Sequence, residues 1–295
     1  MDIATLDDSA LLREIERRFQ EKQSSIEEME FLTKKLLEMN EKSKQAQEVK
    51  SQFLSLVKNE FNNPVSSLLS VADILQRTQS LDKARAMGEL LKRDLLKMDF
   101  SLRNVFAASE IEAGEIANDY NHIDIEELLE EMKTYFALLI ADKGLHVSLE
   151  DHCTKPLISD SHKMHLILLN LLSNACEFSY ANKPVTVRFT CNDKGYTLVV
   201  ENFGEGISED HTKEIYNRFV HFETGNTRTS AGLGLGLSVA RGMCEALDGT
   251  IDNTHSGDAT QFIVFIPYVS EEDISISKAH GSNEFMFDED EMMEF

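Results

Sequence analysis

The chain lacks tryptophan, has only four prolines among 295 residues, and contains no run of 18 apolar residues. Because a helix needs about 20 predominantly apolar residues to cross a bilayer, we expect no membrane span. The first residues, MDIATLDDSALL, are polar and acidic, which is not the pattern of a secretory signal peptide. These absences favour a protein of the cytoplasm.

Positive charge is scarce, with 29 Lys and Arg against 52 Asp and Glu and a net charge of −23. Nucleic acid is therefore not an expected partner, since phosphate contacts require clustered cations. Residues 271–295 hold nine acidic residues and a single lysine. This stretch is compatible with a disordered solubilising tail, which we favour, and with a docking peptide that folds on a basic partner.

Cysteine is also rare, and the four present (Cys153, Cys176, Cys191 and Cys244) show no C-x-x-C spacing. We predict four small core thiols in a reducing compartment. Nine histidines occur, all from His122 onward. His162 and His165 form an H-x-x-H pair without a nearby third ligand, so we interpret them as surface or packing residues rather than a metal site.

Glycine and proline are absent from residues 1–63. Apolar residues recur at steps of three and four over residues 8–58, which predicts one long helix. Such a helix cannot bury its apolar stripe alone, so we expect a parallel dimeric coiled coil over residues 1–50. The pattern thins at residues 40–47, where we expect a break or a register shift.

Pro64 is predicted to interrupt this helix, after which apolar spacing resumes from Val65 to Leu75. Residues 77–82 read as a loop, and a second helix is predicted to end near Gly114. Residues 51–118 would then form a helical hairpin, and two hairpins would make a four-helix bundle in the dimer.

Residues 122–268 predict an α+β domain, because strand-like and helix-like stretches mix there. We expect a helix over 125–144 ending at Gly144, a second helix around residues 162–179, and another after the last glycine cluster. Strands are predicted at LHVSLE, PVTVRFTCN, YTLVVENF and QFIVFIPY, forming a mixed sheet with helices on one face. Residues 269–295 form the acidic tail.

Three short segments of this domain carry chemistry. Asn170 and Asn174 are spaced i, i+4, which places both amides on one helix face. ENFGEGI (201–207) closes a strand with two glycines, and GLGLGLSVAR (232–241) alternates three glycines just before a helix. Alternating glycines allow backbone amides to approach a phosphate at a helix N-terminus.

In this order and spacing, the three segments resemble the N box, G1 box and G2 box of the histidine kinase ATP-binding domain, a GHKL ATPase. Phe219 and Phe222 fit the F box of that family. QFLSLVKNEFNNPVSSLLSVADIL also resembles its dimerisation and phosphoacceptor helix, so the resemblance covers residues 30–268. It implies a helical hairpin followed by a GHKL α/β sandwich that binds ATP or ADP.

The resemblance also implies roles for individual residues. Asn174 would coordinate a Mg²⁺ ion that bridges the nucleotide phosphates, and Asn170 would support the same site. Asn202 would accept a hydrogen bond from the adenine amino group. The glycines would let adenine approach the sheet and would hinge a lid over the phosphates; they are Gly204, Gly206, Gly232, Gly234 and Gly236. Arg228 would be a lid cation or an ordinary surface arginine.

The sequence departs from the family pattern at three positions. Asn59 stands where the phosphoacceptor histidine belongs, although Glu60 and Pro64 are in place. An amide nitrogen cannot accept a phosphoryl group, because its lone pair is delocalised. Glu177 replaces a basic residue of the N box, and Asn202 replaces an aspartate. We expect nucleotide binding to survive in a weakened form.

These features predict a homodimeric, degenerate histidine kinase that docks a response regulator and does not phosphorylate its own hairpin. Asn63, before Pro64, occupies the place of a residue that positions water for dephosphorylation of the regulator, and Glu60 would assist it. The alternative for Asn63 is an ordinary polar residue. Two alternatives for the protein also remain: a kinase acting on a histidine of a separate protein, and a dimeric scaffold whose nucleotide site is dead.

Overall fold

The computed structural model describes residues 8–78, 80–114, 117–207, 211–212, 214–218 and 233–269. The chain divides into two compact units, Met1–Lys58 and Asn59–Phe295, which are described separately. The acidic tail lies outside the described residues. Within the described residues, no helix is apolar over a stretch long enough to traverse a bilayer.

The first helix, α1 (Asp8–Arg77), is continuous. The prediction of one long helix is therefore confirmed, whereas a break at residues 40–47 is wrong, because the polar residues there still favour helix. In the first unit, Phe19, Met29, Leu32 and Leu36 are exposed along α1. The predicted coiled-coil partner for these side chains stays a prediction.

Helix α1 passes through Pro64 and ends at Arg77, so Pro64 does not interrupt it. A proline removes one backbone donor, and the hydrogen bonds of the flanking turns can hold the helix through that single loss. Helix α2 (Leu81–Ala113) follows a short connection in which the side chain of Ser80 caps its first turn. Ser67 Oγ donates to Asp94 Oδ2 at 2.6 Å, joining the two hairpin helices.

Gly114 ends α2 with φ of 68°, in the left-handed region that favours glycine, as the sequence predicts. Beyond the hairpin, a small antiparallel sheet pairs β1 (Tyr120–Ile123) with β3 (Leu157–Asp160). Neither of these four-residue strands is predicted by the sequence pattern.

The main sheet has five strands in the order β2-β4-β5-β7-β6. They are β2 (His146–Asp151), β4 (Pro184–Cys191), β5 (Gly195–Phe203), β6 (Thr250–Ser256) and β7 (Ala259–Pro267). Strand β2 pairs in parallel with β4, and the other pairs are antiparallel. The predicted mixed sheet is confirmed, with β6 as an additional edge strand.

The described part of the domain also contains four helices: α3 (Ile125–Tyr135), α4 (Ala137–Lys143), α5 (Ser161–Phe178) and α6 (Gly236–Ala246). The single helix predicted over 125–144 is in fact two helices, divided at Phe136. Gly144, with φ of 61°, ends α4 as predicted. A short 3₁₀ turn (Glu214–Tyr216) lies beside α6.

The core lies between one face of the main sheet and the helices. Alternate residues of β4, β5 and β7 are buried on that face, including Val187, Val200 and Phe262, which stand opposite one another in register. Helix α5 is buried on most of its surface and contacts β5. Burial of LILLNLL, residues 166–172 of α5, places Asn170 inside the protein, and Asn174 one turn later is half-buried.

The cysteine prediction is half right. Cys176 and Cys244 are buried free thiols, whereas Cys153 and Cys191 form a disulfide. The error arises because Cys153 and Cys191 are 38 residues apart in sequence and are brought together by the parallel pairing of β2 with β4. Only the two free thiols, Cys176 and Cys244, therefore fit the predicted reducing compartment.

Candidate nucleotide site

The N box and the last glycine of the G2 box are in contact. Asn170 on α5 is 3% exposed, and its Nδ2 donates to Leu166 O at 2.9 Å. Its Oδ1 is buried and has no hydrogen-bond partner. A Cβ on Gly236, the first residue of α6, would lie 2.7 Å from that oxygen. A buried acceptor without a partner, next to a helix N-terminus, indicates a polar site where a ligand or a water molecule can donate a hydrogen bond.

Asn174 lies one turn further along α5 and is half-buried. Its side chain therefore shares a helix face with Asn170, as the i, i+4 spacing predicts. Among the described residues, no cluster of three His, Cys, Asp or Glu side chains could hold a metal by itself. An amide oxygen such as that of Asn174 is a hard ligand of the kind that Mg²⁺ accepts, so this residue fits the predicted ion.

The glycines of ENFGEGI pack closely against other elements. A Cβ on Gly204 would lie 1.9 Å from the carbonyl oxygen of Phe178, at the end of α5. Gly204 also pairs with Ser179 in an isolated bridge, which ties the G1 turn to the end of the N box. The Gly206 Cβ position is filled by the imidazole ring of His255, with two ring atoms at 1.9 Å. A larger residue at position 204 would separate these elements, and one at position 206 would displace the His255 ring.

Asn202 is a buried residue at the end of β5, 3% exposed. It stands opposite Thr260 of β7, which is 4% exposed, and Thr260 stands opposite His255 of β6. His255 Nδ1 lies 3.1 Å from Thr260 Oγ1. Sequence reasoning did not identify Thr260 or His255. Their link to Asn202 depends on strand register, which the short motifs do not encode.

Lys143 is a second residue that the sequence analysis did not identify. It ends α4, and its Nζ donates to the carbonyl oxygens of Cys176 and Ser179, each at 3.1 Å, and to that of Glu177. A cation at these orphan carbonyls satisfies the C-terminus of α5 and its negative dipole end. The N box is therefore fixed at the end where the family pattern places its own basic residue.

Glu177 occupies that family position. Burial raises the pKa of its carboxyl group, and the positive charges of Lys143 and of Lys97 on α2 act in the opposite direction. Glu177 is nonetheless exposed, so solvent and salt screen the repulsion between its charge and a nearby phosphate.

Helix α2 of the hairpin packs on the domain that carries this site. Tyr135 Oη lies 2.7 Å from Leu96 O and 3.0 Å from Asp99 Oδ2, and the Phe100 and Phe136 rings meet edge to face. Near the C-terminal end of α2, a Cβ on Gly242 would lie 2.5 Å from Ile111 Cδ1. A larger residue at position 242 would displace the Ile111 side chain from its contact with α6.

Residues 117–119, which connect the hairpin to the domain, are held by both site helices. Lys163 of α5 donates to Ala117 O at 2.7 Å, and the Asp119 amide donates to Asp160 Oδ2 at 2.9 Å. Lys163 and Asp160 form a buried ion pair at 2.5 Å. The side-chain amide of Asn118 donates to Ala246 O at 2.9 Å, at the end of α6.

Some predicted site residues fall outside what the structure describes. Gly234 is described, with φ of 62°, but Arg228 and Gly232 lie outside the described residues, as do Phe219 and Phe222. The backbones of Asn59, Glu60 and Asn63 belong to α1, and their side chains are outside the described set.

Comparison with known proteins agrees with this geometry. Residues 159–270 match the family of histidine kinase-, DNA gyrase B-, and HSP90-like ATPases. The chain is 28% identical over 85% of its length to hybrid signal transduction histidine kinase D of Dictyostelium discoideum. It is 27% identical over 74% of its length to the autoinducer 2 sensor kinase/phosphatase LuxQ of Vibrio cholerae. It spans 17% and 26% of these two relatives, respectively.

A solved structure, full-length ShkA in complex with AMPPNP, shares the fold with a TM-score of 0.53 and 22% identity, covering 75% of this chain and 47% of that one. Residues 159–270 are thus an ATPase domain of the histidine kinase-, DNA gyrase B-, and HSP90-like family. The described helical region and the α/β sandwich that follows it form the fold of histidine kinase catalytic regions.

Proposed function

We propose that the protein is a two-component signalling protein that binds ATP or ADP with Mg²⁺ but does not phosphorylate its own hairpin. The observation that carries the proposal is the contact of Asn170 with Gly236, where an orphaned buried oxygen meets the N-terminus of α6. In this proposal the N box and the G2 box form the nucleotide site, and Asn59 stands where the family pattern has its acceptor histidine. The AMPPNP bound by ShkA supports the choice of ligand.

In this proposal Asn174 supplies the amide ligand to Mg²⁺ and Asn170 orients the site. Asn202 faces the base, with Gly204 and Gly206 closing the turn around it. Gly232, Gly234 and Gly236 shape the segment over the phosphates, and Arg228 adds a cation there. Mg²⁺ would neutralise part of the negative charge of the bound phosphates.

Autophosphorylation within the hairpin is excluded by composition, since residues 1–121 contain no histidine. The retained Glu60 and Asn63 suit a different reaction, the hydrolysis of a response regulator's aspartyl phosphate. A hydrogen-bonding side chain suffices to position the attacking water, because the regulator provides the metal and the phosphoryl group. The kinase/phosphatase named among the relatives supports this assignment.

Thermal unfolding with Mg·ADP and Mg·ATP tests the nucleotide site first. Saturating ligand at 100 times its Kd should stabilise the protein by about 2.7 kcal/mol. Omitting Mg²⁺, or using Asn174→Ala, should reduce the shift, whereas Asn192→Ala in the turn after β4 should not. No shift in wild type at millimolar nucleotide would identify a dead site and a scaffold.

The variant Asn59→His tests whether the missing histidine is what prevents autophosphorylation of the hairpin. It restores an acceptor beside Glu60 and Pro64. Incubation with Mg·[γ-³²P]ATP followed by acid and base stability tests should then detect acid-labile phosphate in the variant but none in wild type. Acid-labile phosphate on wild type, on any of the histidines from His122 to His280, would contradict the proposal.

Phosphatase activity is tested with receiver domains charged by acetyl phosphate. Wild type should accelerate dephosphorylation, and Asn63→Ala should abolish the acceleration while Asn62→Ala, its neighbour in α1, retains it. Equal activity in the two variants would assign Asn63 to an ordinary structural role. The expected homodimer and cytoplasmic location belong to the same proposal.

A further inference from the structure

The base end of the candidate site carries a row of three polar side chains. Asn202, Thr260 and His255 stand directly opposite one another on β5, β7 and β6. Directly opposed residues project to the same face of a sheet. That face is the one turned toward the helices, since Asn202 and Thr260 are both buried. His255 adds an imidazole ring from the edge strand.

His255 is held in place by two contacts. Its Nδ1 lies 3.1 Å from Thr260 Oγ1, and its ring covers Gly206 closely enough that a Cβ there would overlap it. A glycine at position 206 is thus needed for the ring to reach the threonine. His255 therefore joins the row of polar side chains to the turn that contains Gly206.

The hydroxyl group of Thr260 has a single proton, so His255 decides where that proton points. If Nδ1 carries no proton, it accepts the hydroxyl proton of Thr260, and Oγ1 can then only accept a hydrogen bond from a ligand. If Nδ1 is protonated, it donates to Oγ1, and Thr260 is then free to donate to a ligand. When neutral His255 is the Nε2–H tautomer, protonation of Nδ1 therefore changes Thr260 from an acceptor to a donor.

We propose that His255 sets the hydrogen-bonding polarity of Thr260 toward a purine base and is thereby a positioning residue that determines base specificity. This inference rests on the proposed nucleotide-binding function. Adenine presents an acceptor at N1 beside its amino group, whereas hypoxanthine and guanine present N1–H beside a carbonyl oxygen. A donating Thr260 suits adenine, and an accepting Thr260 suits the other two.

Asn202 alone discriminates poorly between purine bases, so a second residue is needed to select among them. A carboxylate at that position could only accept a hydrogen bond, and it would favour the adenine amino group over a carbonyl oxygen. The amide of Asn202 offers both a donor and an acceptor, so it can pair with either edge. With this discrimination relaxed, the choice between purines falls to the pair formed by Thr260 and His255.

The specificity should then depend on pH, because histidine side chains change charge near neutrality. Two residues that contact the ring, Thr260 and Gly206, carry no charge. The titratable side chains of the two adjoining turns are Glu205 and Asp258. Glu205→Gln and Asp258→Asn therefore serve as controls for electrostatic effects from these turns.

Isothermal titration of wild type with ADP and with inosine diphosphate at pH 6.0 and pH 8.0 tests the proposal. The two ligands carry the same diphosphate group, so the effect of phosphate ionisation cancels in the ratio of their Kd values. We expect the preference for ADP to be roughly fivefold greater at pH 6.0 than at pH 8.0, the size of effect that one hydrogen bond produces. A ratio that does not change with pH overturns the inference and leaves nucleotide binding intact.

Variants then test whether the pH dependence of this ratio requires His255 and Thr260. His255→Phe keeps a ring over Gly206 and should make the ratio independent of pH, as should Thr260→Val. Thr260→Ser retains the hydroxyl and should restore the dependence, and His146→Gln, an exposed histidine on β2, should leave it unchanged. A pH-dependent ratio that persists in His255→Phe would overturn the proposal. Failure of wild type to bind either nucleotide would overturn the proposed function together with it.

Discussion

Replacing Gly236 by alanine should weaken nucleotide binding, because the added methyl group would crowd Asn170. In Gly236→Ala the Cβ would lie 2.7 Å from Asn170 Oδ1, and Asn170 is tethered to Leu166 O. Overpacking of this kind costs about 1–3 kcal/mol, so we expect nucleotide affinity to fall at least about fivefold by titration calorimetry.

Gly88→Ala is the matched control for that variant. Gly88 lies in α2 with nothing within 4 Å of its Cβ position, so alanine there should stabilise the helix by about 0.5–1 kcal/mol and leave nucleotide affinity unchanged. Wild-type affinity in Gly236→Ala would show that the two boxes need no close contact.

The buried ion pair of Lys163 with Asp160 should matter far more than an exposed one. Lys163→Met leaves Asp160 buried without its cation, and we expect the free energy of unfolding to fall by about 3–5 kcal/mol in urea titrations. Lys133→Met removes the exposed Lys133–Glu130 pair and should cost less than about 1 kcal/mol. Equal losses would mean that Lys163 contributes only surface electrostatics.

The residues of the site differ in how far the sequence reveals them. Asn170, Asn174 and the glycines are recognisable because their spacing is local, within one helix or one turn. Thr260, His255 and Lys143 are not, since each acts across a distance set by strand register or helix packing. Lys143, for example, meets carbonyl groups more than 30 residues further along the chain.

At the scale of elements, Tyr135 should hold α2 against α3. Burial, followed by the charge of Asp99, raises the pKa of Tyr135, so its hydroxyl group keeps its proton and can donate. Tyr135→Phe loses the contacts with Leu96 O and Asp99, at a cost of about 1 kcal/mol. Hydrogen exchange of residues 94–100 should accelerate, whereas the exposed Tyr180→Phe should leave it unchanged. Unaltered exchange in Tyr135→Phe would count against this role.

The disulfide between Cys153 and Cys191 should stabilise the pairing of β2 with β4. A loop of 38 residues corresponds to about 4 kcal/mol of chain entropy, so reductant should lower stability by up to that amount. Burial raises the pKa of Cys176 and of Cys244 to about 12, which keeps both as unreactive thiols. The double variant Cys153→Ser/Cys191→Ser should be insensitive to reductant, and identical wild-type urea midpoints with and without it would refute the prediction.

Elements with strong periodicity were predictable, and short or polar ones were not. Helices α1, α2 and α5 follow from apolar spacing, and Gly114 and Gly144 mark helix ends correctly. Strands β1 and β3 have four residues each, too few to show alternation, and β6 (TIDNTHS) is a polar edge strand. Pro64 was expected to break α1 because the sequence does not show how neighbouring turns support the helix.

At the scale of the whole molecule, apolar side chains of the hairpin predict self-association. Leu69 of α1 is 65% exposed and Leu95 of α2 is 53% exposed. Light scattering after size exclusion should give about twice the chain mass of 33.4 kDa. Leu69→Glu should shift the protein to monomer without unfolding it, and Gln76→Glu, an exposed polar position, should not. A wild-type monomer at tens of micromolar would refute the dimer.

The attachment of residues 117–119 couples the hairpin and the candidate nucleotide site in both directions. These residues are fastened to α5 through Lys163 and Asp160, and to α6 through Ala246. If hairpin rearrangement alters nucleotide affinity by some factor, nucleotide binding must bias that rearrangement by the same factor, as thermodynamic linkage requires. Under the proposed function, a difference in how ATP and ADP couple to the hairpin would let nucleotide binding bias the hairpin without phosphoryl transfer to it.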